Sequence, residues 1–153
     1  MPMEKKAEII IVGAGASGLA AAIQAAREGA RVMVLEHMEA AGKKILSTGN
    51  GKCNFTNRKQ GIAYYRGKDP AFVLPVLEQF GFEETLRFFE GLGIVPTCKR
   101  GGYYYPASGQ ASSVREVLLM ECRRRKVEIF YGIGLRSIEK RKGKFLFHTK
   151  QGE

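Results

Sequence analysis

Cysteine is scarce in this 153-residue chain, and its few copies are not paired. Cys53, Cys98 and Cys122 form no C-x-x-C motif, so the pattern indicates neither a zinc site nor a disulfide framework, and a cytoplasmic location is expected. The two histidines, His37 and His148, form no constellation with the acidic residues. The spacing therefore predicts no metal site and no Ser-His-Asp hydrolysis, and it assigns no catalytic residue.

Long hydrophobic runs are also missing. Residues 9–26 carry no charge and follow two lysines, which gives them the outline of a signal peptide or membrane span. Three glycines, Ser17 and Gln24 interrupt this stretch, and the turn motif described below explains it better. No membrane association is expected.

Acidic residues are outnumbered by basic ones, 15 to 25, and the net charge is +10. Basic clusters at 123–126 and 140–144 can indicate nucleic-acid binding. The first cluster, however, ends a predicted helix, where cations complement the helix dipole, and the second lies at a predicted hairpin tip. No RNA-binding motif or helix-turn-helix signature accompanies them, so no nucleic-acid partner is expected; a basic interaction protein remains an alternative.

The chain does contain a strand–turn–helix–strand pattern over residues 8–36. The β-branched run 9–12 predicts a strand covered on both faces, and it leads directly into a G-x-G-x-x-G turn. An alanine-rich stretch over 17–28 predicts a helix that ends before Gly29, and 31–35 predicts a second strand. Together these elements predict a βαβ unit.

Each glycine of the turn has a separate physical role in a dinucleotide site. Gly13 permits the tight turn, Gly15 lets a diphosphate approach the backbone, and Gly18 lets the helix pack closely on the strand. The unpaired N–H groups at the helix start suit an anion. Glu36 follows Gly18 by eighteen residues, where it can accept hydrogen bonds from a ribose and repel a 2′-phosphate, which disfavours NADP. The alternative is a tight turn without a ligand.

Residues 42–57 form a long polar segment with three glycines and three lysines. Segments of this kind in compact domains are usually functional or mobile, and composition alone leaves both alternatives open. The glycines let the backbone approach a flat or anionic group, and the lysines add positive charge.

The glycine turn, Leu35-Glu36 and the block 42–57 together resemble the BaiN/YhiN-type flavoproteins, a family of NAD(P)/FAD-dependent oxidoreductases with aminoacetone-oxidase-like members. The second block, G-K-K-I-x-x-(S/T)-G-x-G-(K/R)-C-N-x-T-N, is much more specific than the first. Lys52 stands where arginine is common in the family, which keeps the charge but loses the planar fork. The lack of paired cysteines argues against the disulfide-reductase branch of flavoproteins.

This resemblance implies an FAD cofactor, with NAD(P)H as a possible electron donor and an unknown small-molecule substrate. It implies that the diphosphate is held by Gly13, Ala14, Gly15, Ala16, Ser17 and Gly18. It implies that Glu36 holds the adenosine ribose and that the backbone near Ile129 contacts the adenine. It further implies that the flavin side of the cofactor is lined by Lys44, Ser47, Thr48, Gly49, Gly51, Lys52 and Asn54.

The rest of the chain predicts a helical insertion and the end of a parallel sheet. Asp69-Pro70 predicts a helix start, with Phe72, Val76 and Phe80 among its core residues. Helices are also predicted over 83–90 and about 112–125, the latter capped by Ser112 or Ser113. A third parallel strand is expected over 127–131, and 135–141 with 144–149 predict a hairpin in a small β-meander.

The predicted fold class is α/β: a Rossmann-like FAD/NAD(P)-binding βαβ unit with a parallel sheet, a helical insertion at about 69–125 and a small β-meander. Members of the family are more than twice as long as this chain, so residues 1–153 resemble the N-terminal portion only. The chain is therefore expected to be truncated and to bind FAD weakly or not at all. The predicted function is an FAD-binding oxidoreductase fragment, and the alternative is a non-catalytic module for NAD or ADP.

Overall fold

The computed structural model describes residues 5–150 and divides the chain into two compact units. The first unit consists of Met1–Lys44 with Leu118–Glu153, and the second of Ile45–Val117. In chain order the elements are β1 (Ile9–Val12), α1 (Ala16–Arg27), β2 (Val32–Leu35), α2 (Lys43–Ser47), β3 (Thr56–Asn57), α3 (Leu74–Gln79), α4 (Phe82–Glu90), β4 (Pro96–Lys99), β5 (Tyr103–Pro106), α5 (Ala111–Arg124), β6 (Glu128–Phe130), β7 (Leu135–Arg141) and β8 (Lys144–Thr149).

The first unit is built on a three-stranded parallel sheet of order β1-β2-β6. Helix α1 packs on β1 and β2 through its apolar stripe, where Leu19, Ala22 and Ile23 are buried. The helix ends as predicted, because Gly29 takes the left-handed φ of +90° that favours glycine. The βαβ unit and the third parallel strand are thus confirmed.

Strand β1 differs from its prediction in how it is buried. All four residues of β2 are buried, whereas Ile9 is 38% and Val12 is 52% exposed. Strand β2 lies between two neighbours, but β1 is hydrogen-bonded on one side only among the described strands. The prediction that 9–12 is covered on both faces was therefore wrong, since four apolar residues in a row do not reveal a strand's place in the sheet.

Helix α5 confirms the helix predicted at about 112–125, and its Val114, Leu118 and Cys122 are almost fully buried. Its start is one residue earlier than predicted: Ala111 is already helical, so Ser112 and Ser113 lie inside the first turn instead of capping it. Near its end, Glu121 is buried within the first unit and joined to three arginines.

The C-terminal hairpin has the predicted bounds. Strands β7 and β8 pair antiparallel around Lys142 and Gly143, both of which have positive φ, as in the tight turns that suit two-residue hairpins. Among the described residues this sheet has two strands, which form the predicted hairpin, and its continuation into a meander stays a prediction.

The second unit contains a three-stranded antiparallel sheet of order β3-β5-β4. It was not predicted, because β3 is only two residues long and the region around it was expected to be irregular or helical. In β5 the side chains alternate, so that Tyr104 is buried while Tyr103 is exposed. The ring of Tyr104 packs edge-on against Phe82, which anchors the sheet to α4.

The segment after Asp69 differs from its prediction. A 3-10 turn over Pro70–Val73 precedes the short helix α3, because Pro75 lacks an N–H group to continue a single helical ladder. Asp69 provides no side-chain cap. Phe72, Val76 and Phe80 are 79%, 55% and 48% exposed, so assigning them to the core was wrong.

Within residues 5–150, no helix is both long and apolar enough to cross a membrane. Nor does this part of the chain bring together three or more His, Cys, Asp or Glu side chains that could hold a metal ion.

Candidate functional site

The glycine turn joins the carboxyl end of β1 to the start of α1. Gly13 adopts φ +95°, and its N–H donates to the Leu35 carbonyl at 2.7 Å, which ties the turn to the end of β2. A Cβ on Gly18 would lie 1.9 Å from the carbonyl oxygen of Gly13. Only glycine permits this close approach of helix and turn, which is the role that the motif predicts for its third glycine.

Gly15 occupies the opposite situation, because a Cβ built on it would meet no atom within 4 Å. It is the N-cap residue of α1, its backbone is extended, and no side chain caps the helix start. The first turn of α1 contains no acidic residue. The turn thus leaves an open cradle in front of unpaired helix N–H groups, and a diphosphate has the charge and size to fill it.

Glu36 follows β2 and points back to this turn. Its Oε2 accepts the N–H of Ala14 at 2.7 Å, and its Oε1 accepts the N–H of Met38 at 2.8 Å. The Nδ1 atom of His37 lies 2.9 Å from Oε1. Sequence reasoning identified Glu36 but not Met38 or His37 as its partners, because backbone donors leave no mark in a residue pattern.

The carboxyl of Glu36 is held in its charged form. Burial raises its pKa, but the N–H donors of Met38 and Ala14 and the neighbouring His37 outweigh burial, so the pKa lies below its usual value. A buried carboxylate beside the glycine turn can accept hydrogen bonds from sugar hydroxyls and repel a phosphate on the same sugar.

The surrounding backbone fixes these groups at the carboxyl ends of the parallel strands. The N–H of Glu36 donates to Phe130 at the end of β6, and Ile133 donates to the carbonyl of Glu36. Gly42 donates to the carbonyl of Ala14 at 2.8 Å, which closes the segment after β2 over the turn. In open α/β sheets, ligands bind outside these strand ends. Ile129 lies in mid-strand opposite Val34, and its predicted adenine contact stays a prediction.

In the second unit, the segment predicted to line the flavin is more ordered than expected. Helix α2 occupies its start, and a compact loop then turns through four residues of positive φ: Gly49, Asn50, Gly51 and Cys53. Positive φ is uncommon for residues other than glycine and often marks functional loops. A Cβ on Gly49 would lie 2.6 Å from the backbone nitrogen of Asn54, so this position requires glycine.

Hydrogen bonds within the second unit hold this loop in shape. The amide nitrogen of Asn54 donates to the carbonyls of Thr56 and Tyr104, at 3.1 and 2.9 Å. Ala111 donates its N–H to the carbonyl of Gly51 at 2.8 Å. Thr48 donates its hydroxyl to the carbonyl of Ile45 at 2.6 Å. Asn54 and Thr48 therefore shape the loop, which is a role that sequence reasoning did not assign to them.

The other residues predicted for the flavin side are accessible. Lys44, Ser47 and Lys52 are exposed, as are the backbones of Gly49 and Gly51. Each can reach a ligand from its own unit, and their predicted contacts with the flavin stay predictions.

Cys53 is a structural thiol. It is buried, and burial raises the pKa of its thiol, although a hydrogen bond with Thr48 opposes the shift. A neutral buried thiol is a poor nucleophile, so the loop supplies shape and not a reactive sulfur.

The chain is similar to known proteins over most of its length. The sequence model of the HI0933-like protein Rossmann domain matches residues 7–153. The 3-dehydro-bile acid delta(4,6)-reductase of Clostridium scindens is 53% identical over 131 residues, which cover 84% of this chain and 32% of that protein. A ribosomal RNA dihydrouridine synthase of Haemophilus influenzae is 36% identical over 120 residues, covering 78% of this chain and 30% of that protein.

The fold has counterparts among solved structures. The crystal structure of Thermovibrio ammonificans THI4 superposes with a TM-score of 0.56 at 16% identity, covering 92% of this chain and 45% of that one. This similarity supports the Rossmann-like fold. The chain spans about a third of the length of the two curated relatives described above.

Proposed function

This chain belongs to the HI0933-like Rossmann-domain family, as its resemblance to the BaiN/YhiN-type flavoproteins indicated, and on that premise we propose that its first unit binds the ADP half of FAD. The diphosphate would lie on the cradle at Gly15, against the N–H groups of Ala16 to Gly18. The ribose hydroxyls would donate to Glu36. When bound, FAD supplies two-electron hydride chemistry, while the protein supplies position and charge.

One observation carries this proposal: the buried carboxylate of Glu36 accepts the N–H of Ala14 at 2.7 Å. This bond joins the acid that we propose for the ribose to the turn that we propose for the diphosphate, 22 residues apart in sequence. A glycine turn without a ligand needs no acid beside it, and a solvated strand-end acid needs no backbone partner in the turn. The pairing therefore supports a dinucleotide site over the two simpler alternatives.

The test is FAD binding by the full chain, measured by calorimetry for the wild type, Glu36→Gln and the control Glu39→Gln. Glu39 is an exposed neighbour paired with Lys43. We expect Glu36→Gln to weaken FAD binding about tenfold or more, because a charged acceptor is lost. Glu39→Gln should bind as the wild type does. Equal affinities for all three proteins, or no FAD binding by the wild type, would overturn the proposal.

We also propose that the residues predicted for the flavin side, Lys44 and the loop residues 47–54, contact the flavin half of the cofactor. Calorimetry with FAD and with ADP separates the two halves of the site. Lys52→Ala should weaken binding of FAD but not of ADP, since ADP lacks the flavin. Equal losses for both ligands would contradict this assignment.

For the whole protein, we propose reduction of a carbon–carbon double bond that is conjugated to a carbonyl. The names of both curated relatives describe such a change: one is a delta(4,6)-reductase of a 3-dehydro acid, and the other forms dihydrouridine. In each product, two hydrogens have been added across a ring double bond. The reductase is the more similar of the two relatives, at 53% identity against 36%. We therefore take a carboxylic acid with an unsaturated ring ketone, as in a 3-dehydro-bile acid, as the first candidate substrate.

An RNA uridine is the second candidate substrate, because the second relative is named for the dihydrouridine that it forms in ribosomal RNA. The sequence predicts no nucleic-acid partner, so activity on RNA would contradict that prediction. Anaerobic reoxidation of reduced flavin in the complete gene product separates the candidates. A 3-oxo-Δ4 ring acid should reoxidise it at least tenfold faster than uridine-containing RNA. The reverse order would select RNA, and reoxidation by neither would overturn the proposed reaction.

A further inference from the structure

We propose that the second unit contains a binding groove for a flat, largely apolar ring molecule that carries a carboxylate. The groove has a volume of about 530 Å³ and lies within the second unit. This volume falls in the usual range for small-molecule sites. Five aromatic rings line it, from Phe55, Tyr64, Tyr65, Phe80 and Tyr103.

Four of these rings are unusually accessible. Tyr64 is 60% exposed, and Tyr65, Phe80 and Tyr103 are between 36% and 48% exposed, whereas Phe55 is half-buried. Large aromatic side chains normally bury much of their surface, and exposed apolar groups that converge on one concavity mark interaction sites. Aromatic rings pair best with other flat rings in offset or edge-on arrangements. The wall therefore favours a planar body for the ligand.

The charge of the groove selects the polar end of the ligand. Among the described residues that line the groove, Lys59 is the single charged one, and none is acidic. Thr56 and Gln60 also line the groove, and within residues 5–150 their side chains donate no hydrogen bond. One ammonium and two uncommitted polar groups beside an apolar wall suit a carboxylate, which accepts such donors without a proton of its own.

The position of the groove suggests what the ligand does. Asn54 lines the groove and also belongs to the loop proposed to contact the flavin. Where the loop contacts the flavin, a ring bound in the groove lies next to the reactive part of the cofactor, which is the position that a substrate needs. This step rests on the proposed function, whereas binding of the ligand to the groove does not.

The experiment measures binding of 2-naphthoate to the full chain without flavin, by calorimetry, with 2-naphthamide and uridine 5′-monophosphate as comparison probes. Tyr64→Ala and Phe80→Ala should each weaken the binding of 2-naphthoate at least about threefold, because each removes an aromatic ring on which the ligand can stack. Phe72→Ala is the control, since Phe72 is exposed but lies outside the groove. Phe80 also contacts Phe88, so thermal melts of each variant accompany the titrations.

Lysine substitutions test the charge. Lys59→Gln should weaken 2-naphthoate about two- to fivefold and leave 2-naphthamide unchanged, as for a solvent-exposed ion pair. Lys68→Gln, an exposed lysine outside the groove, should change neither. Binding of 2-naphthoate that is insensitive to Tyr64 and Lys59 would overturn the proposal. So would absence of binding at millimolar concentration, or uridine 5′-monophosphate binding more than tenfold tighter.

The outcomes separate this inference from the proposed function. Binding of 2-naphthoate by a chain that does not bind FAD would support the groove and overturn the nucleotide site. FAD binding without 2-naphthoate binding would do the reverse.

Discussion

Gly15 and Gly18 are three residues apart, yet a side chain would meet very different surroundings at the two positions. Nothing lies within 4 Å of a Cβ at Gly15, whereas a Cβ at Gly18 would overlap the carbonyl of Gly13. This contrast matches the separate roles that the motif predicts, which are close approach of a ligand at Gly15 and close packing at Gly18.

We predict that Gly15→Ala folds with a loss of less than about 1 kcal/mol but binds FAD at least about tenfold more weakly, since the methyl group takes the space of the diphosphate. Gly18→Ala should lower the free energy of unfolding by about 2 kcal/mol or more, because backbone must move to admit the methyl group. Denaturant unfolding and FAD titration measure both effects. Two variants that lose stability equally would contradict the distinction.

The charge on Glu36 gives a second prediction at this scale. Because its pKa lies below the usual value, the carboxylate is ionised throughout the neutral pH range. ADP-ribose should therefore bind at least about tenfold more tightly than its 2′-phosphate, whose added charge faces this carboxylate. In Glu36→Gln the preference should shrink to about twofold or less, and competition titrations measure the ratio. A preference that survives the substitution would show that Glu36 does not face the ribose.

At the scale of elements, a buried acid links α1 to the end of α5. Glu121 accepts hydrogen bonds from Arg124 at 2.6 and 2.8 Å and from Arg125 at 3.0 Å, and Arg27 of α1 lies 3.7 Å away. The hydrogen bonds from Arg124, together with that from Arg125, lower the pKa of Glu121 to about 2, although burial acts in the opposite direction. The network thus gives two members of the basic cluster at 123–126, Arg124 and Arg125, an acidic partner within the protein.

We predict that Glu121→Gln lowers the free energy of unfolding by about 1–2 kcal/mol at pH 7, because the arginines lose their acceptor but can still reach solvent. The pKa of Glu121 is lower in the folded state, so its contribution is present above the ordinary value of 4.5 and is lost as the pH falls towards about 2. Denaturant melts at several pH values measure this difference.

The matched control is Glu116→Gln. Glu116 is an exposed acid on the same helix, and it pairs with Arg115. Its effect should stay within about 0.5 kcal/mol at every pH. An equal loss from the two variants would show that the network around Glu121 adds nothing beyond an ordinary surface pair.

Elements with strong local signals could be predicted, and elements that depend on distant partners could not. The turn motif predicted β1, α1 and β2, and alternation around Lys142-Gly143 predicted the hairpin with its bounds. The sheet β3-β5-β4 escaped prediction because a two-residue strand has no period to detect. Phe72 and Val76 recur at helical spacing whether a helix faces a core or solvent, so spacing alone misassigned them.

For the whole molecule, binding of FAD should appear as added stability. We predict that saturating FAD, at about 100 times Kd, raises the free energy of unfolding by about 2.7 kcal/mol, which corresponds to about 5–10 °C in Tm. At the same ligand concentration, ADP should stabilise the chain less than FAD does if the loop of the second unit adds to FAD affinity. Thermal melts with each ligand measure this. No shift with FAD at concentrations where calorimetry reports binding would contradict the linkage.

The sequence predicted more of the candidate site than of the division of the chain into two compact units. Glu36 and the glycines have fixed spacing within one βαβ unit, and the structure places them at the predicted turn and strand end, while their binding roles stay predictions. The two compact units were not predicted, because their boundary falls within two helices, α2 and α5, where composition does not change.

The bond between Glu36 and the N–H of Ala14 joins two parts of the protein directly and needs no ligand between them. A site whose parts hold one another in this way loses little conformational entropy when its ligand binds, so more of the contact energy remains as affinity. Preorganisation of this kind makes the βαβ turn a rigid receptor.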